Sequence, residues 1–168
     1  GFGRIGQRVG ELGRAFLMNV VAYDPFLPAH VFEEQHAQSL SIAEVLRVSD
    51  FVTIHMPLTD ETRHMFNAES LASMKPDAVV LNMARGGIVD EKAMYEALKA
   101  GKIGGYATDV MEDELAEGGL TEDASMDSPL FECDNFIVTP HLGAQTVDAS
   151  RDVGNYIIDK VKAALSLS

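Results

Sequence analysis

Apolar residues follow two different spacings along this chain of 168 residues, and the two kinds of stretch alternate. Apolar positions recur every three or four residues, as in amphipathic helices, within residues 7–17, 42–50, 67–74, 90–101 and 146–165. Short and largely apolar stretches, typical of buried strands, are residues 19–24, 51–57, 78–84, 104–110 and 136–140. Continuous apolar strands indicate a sheet covered on both faces, and their alternation with helices indicates parallel βαβ units. The pattern therefore predicts a doubly wound α/β domain built on a parallel sheet.

Polar residues at the ends of the predicted helices support this division of the chain. Asn67 and Asp90 precede helical stretches, and their side chains are good N-caps. Gly101 stands just beyond the second of these helices, where a glycine commonly ends a helix.

The first six residues, GFGRIG, place Gly1, Gly3 and Gly6 at the spacing that holds a dinucleotide pyrophosphate. A helix follows at once, so its free N–H groups and positive dipole end point at the phosphates. The next strand ends in Asp24, whose carboxylate can accept hydrogen bonds from ribose hydroxyls and would repel a 2′-phosphate. The motif predicts a Rossmann-type domain that binds NAD in preference to NADP. A methyltransferase-like domain that binds S-adenosylmethionine is an alternative with a similar loop and acid.

A buried strand normally precedes this glycine motif, but the sequence begins at Gly1 itself. In a doubly wound sheet that strand is central, between the strands that end at Asp24 and His55. We expect those two strands not to pair directly. We also expect the missing strand to come from residues ahead of Gly1 or from a neighbouring chain.

Three later segments, NMARGGIVDE, GYATDVMEDE and TPHLGAQT, follow predicted strands. The carboxyl ends of parallel strands form the crevice in which such sheets bind ligands. Arg85 precedes two glycines, and its guanidinium suits bidentate capture of a carboxylate; the alternative is a loop arginine paired with Asp90. His141 follows Pro140, and the alternative for it is a structural histidine.

Together with HMPLTDET, these segments resemble the cofactor domain of the D-isomer-specific 2-hydroxyacid dehydrogenases. The similarity runs from Gly1 to about Thr146, and ARGGIVDE and TPHLGA are its most specific parts. The resemblance implies a dinucleotide-binding domain at residues 1–146 and, at residues 147–168, a C-terminal helix leading towards a substrate domain. PHLGAQT and AYDPF favour the phosphoglycerate dehydrogenase type slightly.

By motif position, the resemblance implies a catalytic Arg85, Glu114 and His141. Leu115 stands where the family usually has proline, so Glu112 and Asp113 stay open as alternatives to Glu114. The implied cofactor-binding residues, among which Asp109 would hold the nicotinamide carboxamide, are Gly1, Gly3, Arg4, Ile5, Gly6, Asp24, His55, Pro57, Thr62, Met83, Ala84, Asp109 and Gly143.

Reduction of a 2-oxo acid needs a hydride at C2 and a proton at the carbonyl oxygen. A histidine is the natural proton donor near neutral pH, so His141 suits this role. A carboxylate at Glu114 would stabilise the imidazolium and raise its pKa. Arg85 would hold the substrate carboxylate and polarise the carbonyl.

Composition narrows the function further. The formal net charge of −13 argues against nucleic acid as a partner, and no apolar run is long enough to span a membrane. The single Cys133 gives no disulfide framework, and no metal site is expected. We expect a cytoplasmic enzyme that forms a homodimer and acts on a small 2-hydroxy or 2-oxo acid. The alternative is a nucleotide-sensing module of the corepressor type on the same fold. Three further histidines are expected on the surface: His30, His36 and His64.

Overall fold

The computed structural model describes residues 1–112, 128–143 and 145–165. The helices in these ranges are α1 (Arg4–Ala15), α2 (Ala29–Glu34), α3 (Ile42–Val48), α4 (Ala68–Ala72), α5 (Glu91–Lys99) and α6 (Val147–Ala164). The strands are β1 (Val21–Ala22), β2 (Gln38–Ser39), β3 (Phe51–Ile54), β4 (Val79–Asn82), β5 (Gly105–Thr108) and β6 (Phe136–Val138). Pro129–Glu132 form a 3-10 helix. The predicted α/β fold is confirmed, because every predicted helix and strand is present.

Besides the 3-10 helix, two short elements were not predicted, and both lack the hydrophobic pattern that marks the other helices and strands. Strand β2 consists of two exposed residues, so it carries no apolar run. Helix α2 has six residues and begins after Pro28 without a side-chain cap. Both elements are too short for hydrophobic periodicity to appear.

The strands form two separate parallel sheets. One has the order β3-β4-β5-β6, and the other consists of β1 and β2 alone. In the larger sheet Ile54 lies opposite Asn82, and Asn82 lies opposite Thr108, so the carboxyl ends of neighbouring strands are level. Strands β1 and β3 do not pair, as expected.

Gly1 lies between the two sheets. Its amino group donates a hydrogen bond to the carbonyl oxygen of Tyr23, just after β1, at 3.0 Å. A Cβ at Gly1 would lie 2.8 Å from the carbonyl carbon and oxygen of His55, just after β3. The first residue of the glycine motif therefore fills the space between the ends of β1 and β3.

Each sheet has a core of its own. The larger core runs from Leu46 to Cys133 and includes the fully buried Val80, Ile88 and Met94. The smaller core consists of Phe2, Ala22 and Phe32, in which the two phenylalanine rings stack 5.3 Å apart.

The predicted covering of both sheet faces is only partly met. Strand β3 buries Val52 and Ile54, whereas the side chain of Phe51 on the opposite face is exposed. Ile137 of β6 is also exposed. Helix α6 has no buried residue, so it covers neither of these side chains.

Polar caps fix the helix ends that precede the site. Asn67 accepts hydrogen bonds from the N–H groups of Glu69 and Ser70, and Asp90 accepts one from Ala93, so both predicted caps are confirmed. Gly101 has a φ of +64°, the left-handed conformation that glycine adopts without strain after a helix.

Candidate cofactor and active site

In the glycine loop, a side chain at Gly1 or Gly6 would collide with the backbone, whereas a side chain at Gly3 would not. A Cβ at Gly6 would lie 2.4 Å from the carbonyl oxygen of Gly1, so α1 packs directly on the loop. Gly3 is the N-cap of α1 and makes no side-chain cap, and a Cβ there would meet nothing within 4 Å. The first turn of α1 therefore presents its N–H groups to open space, which is the arrangement that binds a phosphate.

Asp24 is tied to this loop. One carboxylate oxygen accepts a hydrogen bond from the N–H of Phe2 at 2.8 Å, and the other accepts one from Phe26 at 3.0 Å. The half-buried carboxylate is thereby fixed at the end of β1, beside the glycine motif. Each oxygen keeps a lone pair with which it could accept a ribose hydroxyl.

A cleft of about 460 Å³ continues from the glycine loop along the larger sheet. It runs from the first turn of α1, past the end of β3, to the end of β4. Its lining residues are Ile5, His55, Met56, Pro57, Leu58, Met83, Ala84 and Arg85. Five of the residues expected to contact the cofactor line this cleft together with Arg85. Arg4 is exposed in the same turn of α1 as Ile5.

His55 contributes a buried polar atom to the cleft. Its Nε2 lies 2.9 Å from the hydroxyl of Thr53, and its Nδ1 is buried without a hydrogen-bond partner in the described residues. Burial lowers the pKa of His55 and favours the neutral ring. Since a buried polar atom without a partner is costly, this nitrogen fits a cleft that receives a polar ligand.

Thr62 shapes the loop that follows Pro57, one of the residues that line the cleft. Its hydroxyl donates to the carbonyl oxygen of Pro57 at 2.8 Å and accepts from the N–H of Thr59 at 2.8 Å. Thr62 therefore holds the wall that begins at Pro57.

Arg85 lies on a turn that the buried Asn82 holds from beneath. The Asn82 side chain donates to the carbonyl oxygen of Arg85 at 2.9 Å and accepts from the N–H of Ala84 at 3.2 Å. The Arg85 side chain is exposed and donates to the carbonyl oxygen of Ala84. Asp90 caps α5, so the alternative that Arg85 pairs with it gains no support.

Asp109 holds the turn that carries His141. Its carboxylate accepts hydrogen bonds from the hydroxyl of Thr139, from the N–H of Leu142 at 2.9 Å and from the N–H of Gly143 at 2.8 Å. A Cβ at Gly143 would lie 3.0 Å from this carboxylate. The turn is tight, because His141 has a φ of +54°.

The ionisation of Asp109 follows from these contacts. Burial alone would raise the pKa of the carboxyl, but the hydrogen bonds from Thr139, Gly143 and Leu142 and the charge of His141 outweigh it. The pKa of Asp109 is therefore lowered, and the carboxylate is charged near neutral pH.

Of the three candidate acids after β5, only Glu112 lies within the described residues. Asp113 and Glu114 lie outside the described residues. Oε1 of Glu112 lies 2.6 Å from Nε2 of His64, so Glu112 pairs with a histidine that was expected only at the surface. Sequence reasoning missed this pair, because the two residues are far apart in the chain and neither stands in a spacing that signals a contact.

The carboxyl ends of four parallel strands thus carry His55, Arg85, Asp109 and His141 along one edge of the larger sheet. No group of three metal-ligating side chains is assembled within the described ranges. None of the helices in those ranges is both long and apolar enough to cross a membrane.

Two known proteins are similar in sequence to this chain over nearly its whole length. A D-3-phosphoglycerate dehydrogenase of Methanocaldococcus jannaschii is 43% identical over 166 residues, which are 98% of this chain and 30% of that protein. A hydroxypyruvate reductase of Thermotoga maritima is 37% identical over 99% of this chain and 52% of its own length. The chain therefore spans about 30% of the length of the first relative and about half of the length of the second.

A solved structure shares the fold. The D-lactate dehydrogenase of Aquifex aeolicus, solved with NAD and lactic acid, superposes with a TM-score of 0.83 at 35% identity, over 99% of this chain and 52% of that one. The sequence profile of the D-isomer specific 2-hydroxyacid dehydrogenase NAD-binding domain matches residues 1–143. The chain belongs to the D-isomer-specific 2-hydroxyacid dehydrogenases, and residues 1–143 are the NAD-binding domain of that family.

Proposed function

We propose that this domain serves an enzyme that transfers a hydride between NAD(H) and a D-2-hydroxy acid or its 2-oxo acid. One observation carries the proposal: an open phosphate loop, an exposed arginine and a fixed histidine turn lie along the same strand ends. The arginine and the histidine, Arg85 and His141, are the side chains that the reaction requires beside the cofactor. The relatives described above are named as dehydrogenases or a reductase, which supports an enzyme and gives no support to the corepressor alternative.

The cofactor contacts follow the cleft. The N–H groups after Gly3 would hold the pyrophosphate, and Asp24 would accept the ribose hydroxyls. The cleft would take the nicotinamide end, with His55 and Ala84 on its walls and Asp109 as the proposed partner of the carboxamide. When it is bound, NAD supplies the hydride acceptor or donor.

The protein's own groups would handle the carboxylate and the proton. Arg85 binds the substrate carboxylate through its guanidinium fork and polarises the carbonyl. His141 donates the proton to the carbonyl oxygen in reduction and accepts it in oxidation. We propose Glu114 as the acid that keeps His141 protonated.

We propose a substrate of the phosphoglycerate or hydroxypyruvate class, because the two curated relatives above carry those names. We also propose that the whole protein is a cytoplasmic homodimer and that the NAD-binding domain ends near Thr146, where α6 begins.

Turnover by the whole protein tests the proposal. NADH oxidation is followed with hydroxypyruvate, 3-phosphohydroxypyruvate and pyruvate, and we expect at least one to be reduced. Arg85→Ala should raise KM for that 2-oxo acid by about 100-fold, as removal of a charged hydrogen bond to a carboxylate does. Arg47→Ala, on the last turn of α3, is the matched control and should leave KM unchanged. NAD binding without reduction of any 2-oxo acid would contradict the proposal.

A further inference from the structure

Two side chains outside the proposed machinery join segments that are distant in sequence. His64 lies in the loop before α4, and Glu112 lies just after β5. Oε1 of Glu112 and Nε2 of His64 are 2.6 Å apart, and the side chains are 31% and 42% exposed. A charge-assisted hydrogen bond at this exposure is partly screened by water but still directional.

Both residues are also held through their backbones. The N–H of His64 donates to the carbonyl oxygen of Gly87 at 2.8 Å. The N–H of Glu112 donates to a carboxylate oxygen of Glu91, in the first turn of α5, at 2.7 Å. The pair therefore joins the loop before α4 and the end of β5 on either side of the turn that follows β4.

That turn carries Arg85. A Cβ at Gly86 would lie only 2.1 Å from the carbonyl oxygen of Met111, so the backbone after Arg85 rests on the residue before Glu112. Phe66 donates to the carbonyl oxygen of Ile88 at 3.2 Å and forms a bridge with Val89. The Arg85 loop, residues 83–89, is thus enclosed between the segment after His64 and the segment that ends at Glu112.

The backbone of His64 is in an uncommon conformation. Its φ is +50°, which lies in the left-handed region that residues other than glycine adopt uncommonly, although histidine, asparagine and aspartate do so more often than the rest. A residue held in this region marks a place where the surrounding contacts dictate the conformation. Here the contacts are those to Gly87 and Glu112.

We propose that His64 and Glu112 are a positioning pair that fixes the Arg85 loop against the end of β5. Neither side chain contacts the substrate in this proposal, which rests on the proposed role of Arg85. Asn82 holds the loop from beneath, and the pair closes it from the side, so the guanidinium presents one orientation to the substrate carboxylate. Loss of the pair should weaken binding of the 2-oxo acid and leave the glycine loop unaffected.

The test uses the whole protein and the variant His64→Asn. Asparagine tolerates a positive φ but is too short to reach Glu112. We expect KM for the 2-oxo acid to rise about three- to tenfold, the effect of one partly exposed charged hydrogen bond, while KM for NADH stays within twofold. Glu112→Ala should match His64→Asn, and the double variant should be no worse than either, because the two residues act as one unit. Glu112→Gln keeps an acceptor for His64 and should restore most of the binding.

His36→Asn is the matched control, because it makes the same substitution at a φ of +47° beside the smaller sheet. It should leave KM for the 2-oxo acid unchanged. An unchanged KM in His64→Asn, while Arg85→Ala still raises it, would overturn the positioning pair and leave the proposed function intact. An equal rise in KM for NADH would also overturn it, because the effect would then be general. No turnover by the wild-type protein would overturn the proposed function and the pair with it.

Discussion

The two sheets of this domain hold opposite ends of the proposed reaction site with very different amounts of structure. The nucleotide end rests on β1 and β2, with two residues each, and on a core of Phe2, Ala22 and Phe32. The catalytic end rests on four strands of three or four residues and on a core that runs from Leu46 to Cys133. Stability is therefore concentrated at the end where the chemistry would occur.

The difference extends to how the side chains are fixed. At the catalytic end, the side chains of Asn82 and Asp109 are buried and hold their turns through two and three hydrogen bonds respectively. At the nucleotide end, Asp24 is half-buried and contacts two N–H groups. Catalytic geometry needs side chains held to a fraction of an ångström, and a rigid sheet with buried polar supports provides this.

The largest expected effect is on the free energy of unfolding, and it compares the contributions of the two cores to stability. Ile54→Ala in the larger core should lower the free energy of unfolding by about 3 kcal/mol, because it leaves a cavity among packed neighbours. Phe32→Ala removes a larger side chain from the smaller core, yet it should shift the main urea transition less, because that core opens first. Ile137→Ala, which changes an exposed isoleucine, is the control and should cost less than about 1 kcal/mol. A Phe32→Ala transition shifted as far as that of Ile54→Ala would mean that the two cores unfold together.

Amide hydrogen exchange compares the stability of the two sheets without a mutation. The amides of Gln38 and Leu40, which bond to carbonyl oxygens of the β1 segment, should exchange faster than those of Val79 and Tyr106 in the larger sheet. NAD at 100 times its Kd should slow the first pair about 100-fold, since it stabilises the closed state by about 2.7 kcal/mol. Equal exchange rates in the two sheets without NAD would remove the distinction.

Asp109 gives the catalytic end a pH dependence. A carboxyl whose pKa is lower in the folded state stabilises the fold above its unfolded pKa, and the contribution is lost as the pH falls through the folded pKa. Asp109→Asn should therefore cost about 2 kcal/mol at pH 7 and progressively less below about pH 4, as urea denaturation at both ends of this range would measure. Asp50→Asn, at an exposed ion pair, should change stability by less than about 1 kcal/mol. A constant difference between Asp109→Asn and wild type from pH 7 to pH 3 would exclude this role for the carboxylate.

The fold was largely predictable because its signals are local. Apolar runs mark β3 to β6, and Asn67, Asp90 and Gly101 mark helix ends, so the sequence predicts both the elements and the edge at which their ends meet. The exposure of Phe51 and Ile137 was not predictable, since an apolar run shows that a residue favours burial and not whether a helix covers it.

The positions of the proposed site residues were predictable where a sequence motif sets them and not where tertiary contacts do. The glycine loop and Arg85 were found from short spacings that chemistry imposes on neighbouring residues. His64 and Glu112 meet only because the loop before α4 and the end of β5 lie beside the same turn. Likewise, the carboxylate of Asp109 was expected to hold the nicotinamide, whereas its hydrogen bonds also fix the His141 turn. No local pattern carries either contact.

The smallest expected effect is on the ratio of NAD to NADP affinity, and it tests the charge of Asp24 at the nucleotide end. Asp24→Asn removes the charge and keeps an oxygen that can accept one of the two N–H bonds now made by Phe2 and Phe26. Wild-type protein should bind NAD more tightly than NADP, because a carboxylate repels the 2′-phosphate and accepts the free ribose hydroxyl. In the variant, the ratio of NAD affinity to NADP affinity should fall about tenfold. This is a change of about 1.4 kcal/mol, which calorimetry with both cofactors resolves. Glu34→Gln removes one negative charge from an exposed residue of helix α2 and should leave the ratio of NAD to NADP affinity unchanged. This control separates a local contact of Asp24 from the general effect of net charge. If wild-type protein bound both cofactors equally, Asp24 would be no more than a support for the glycine loop.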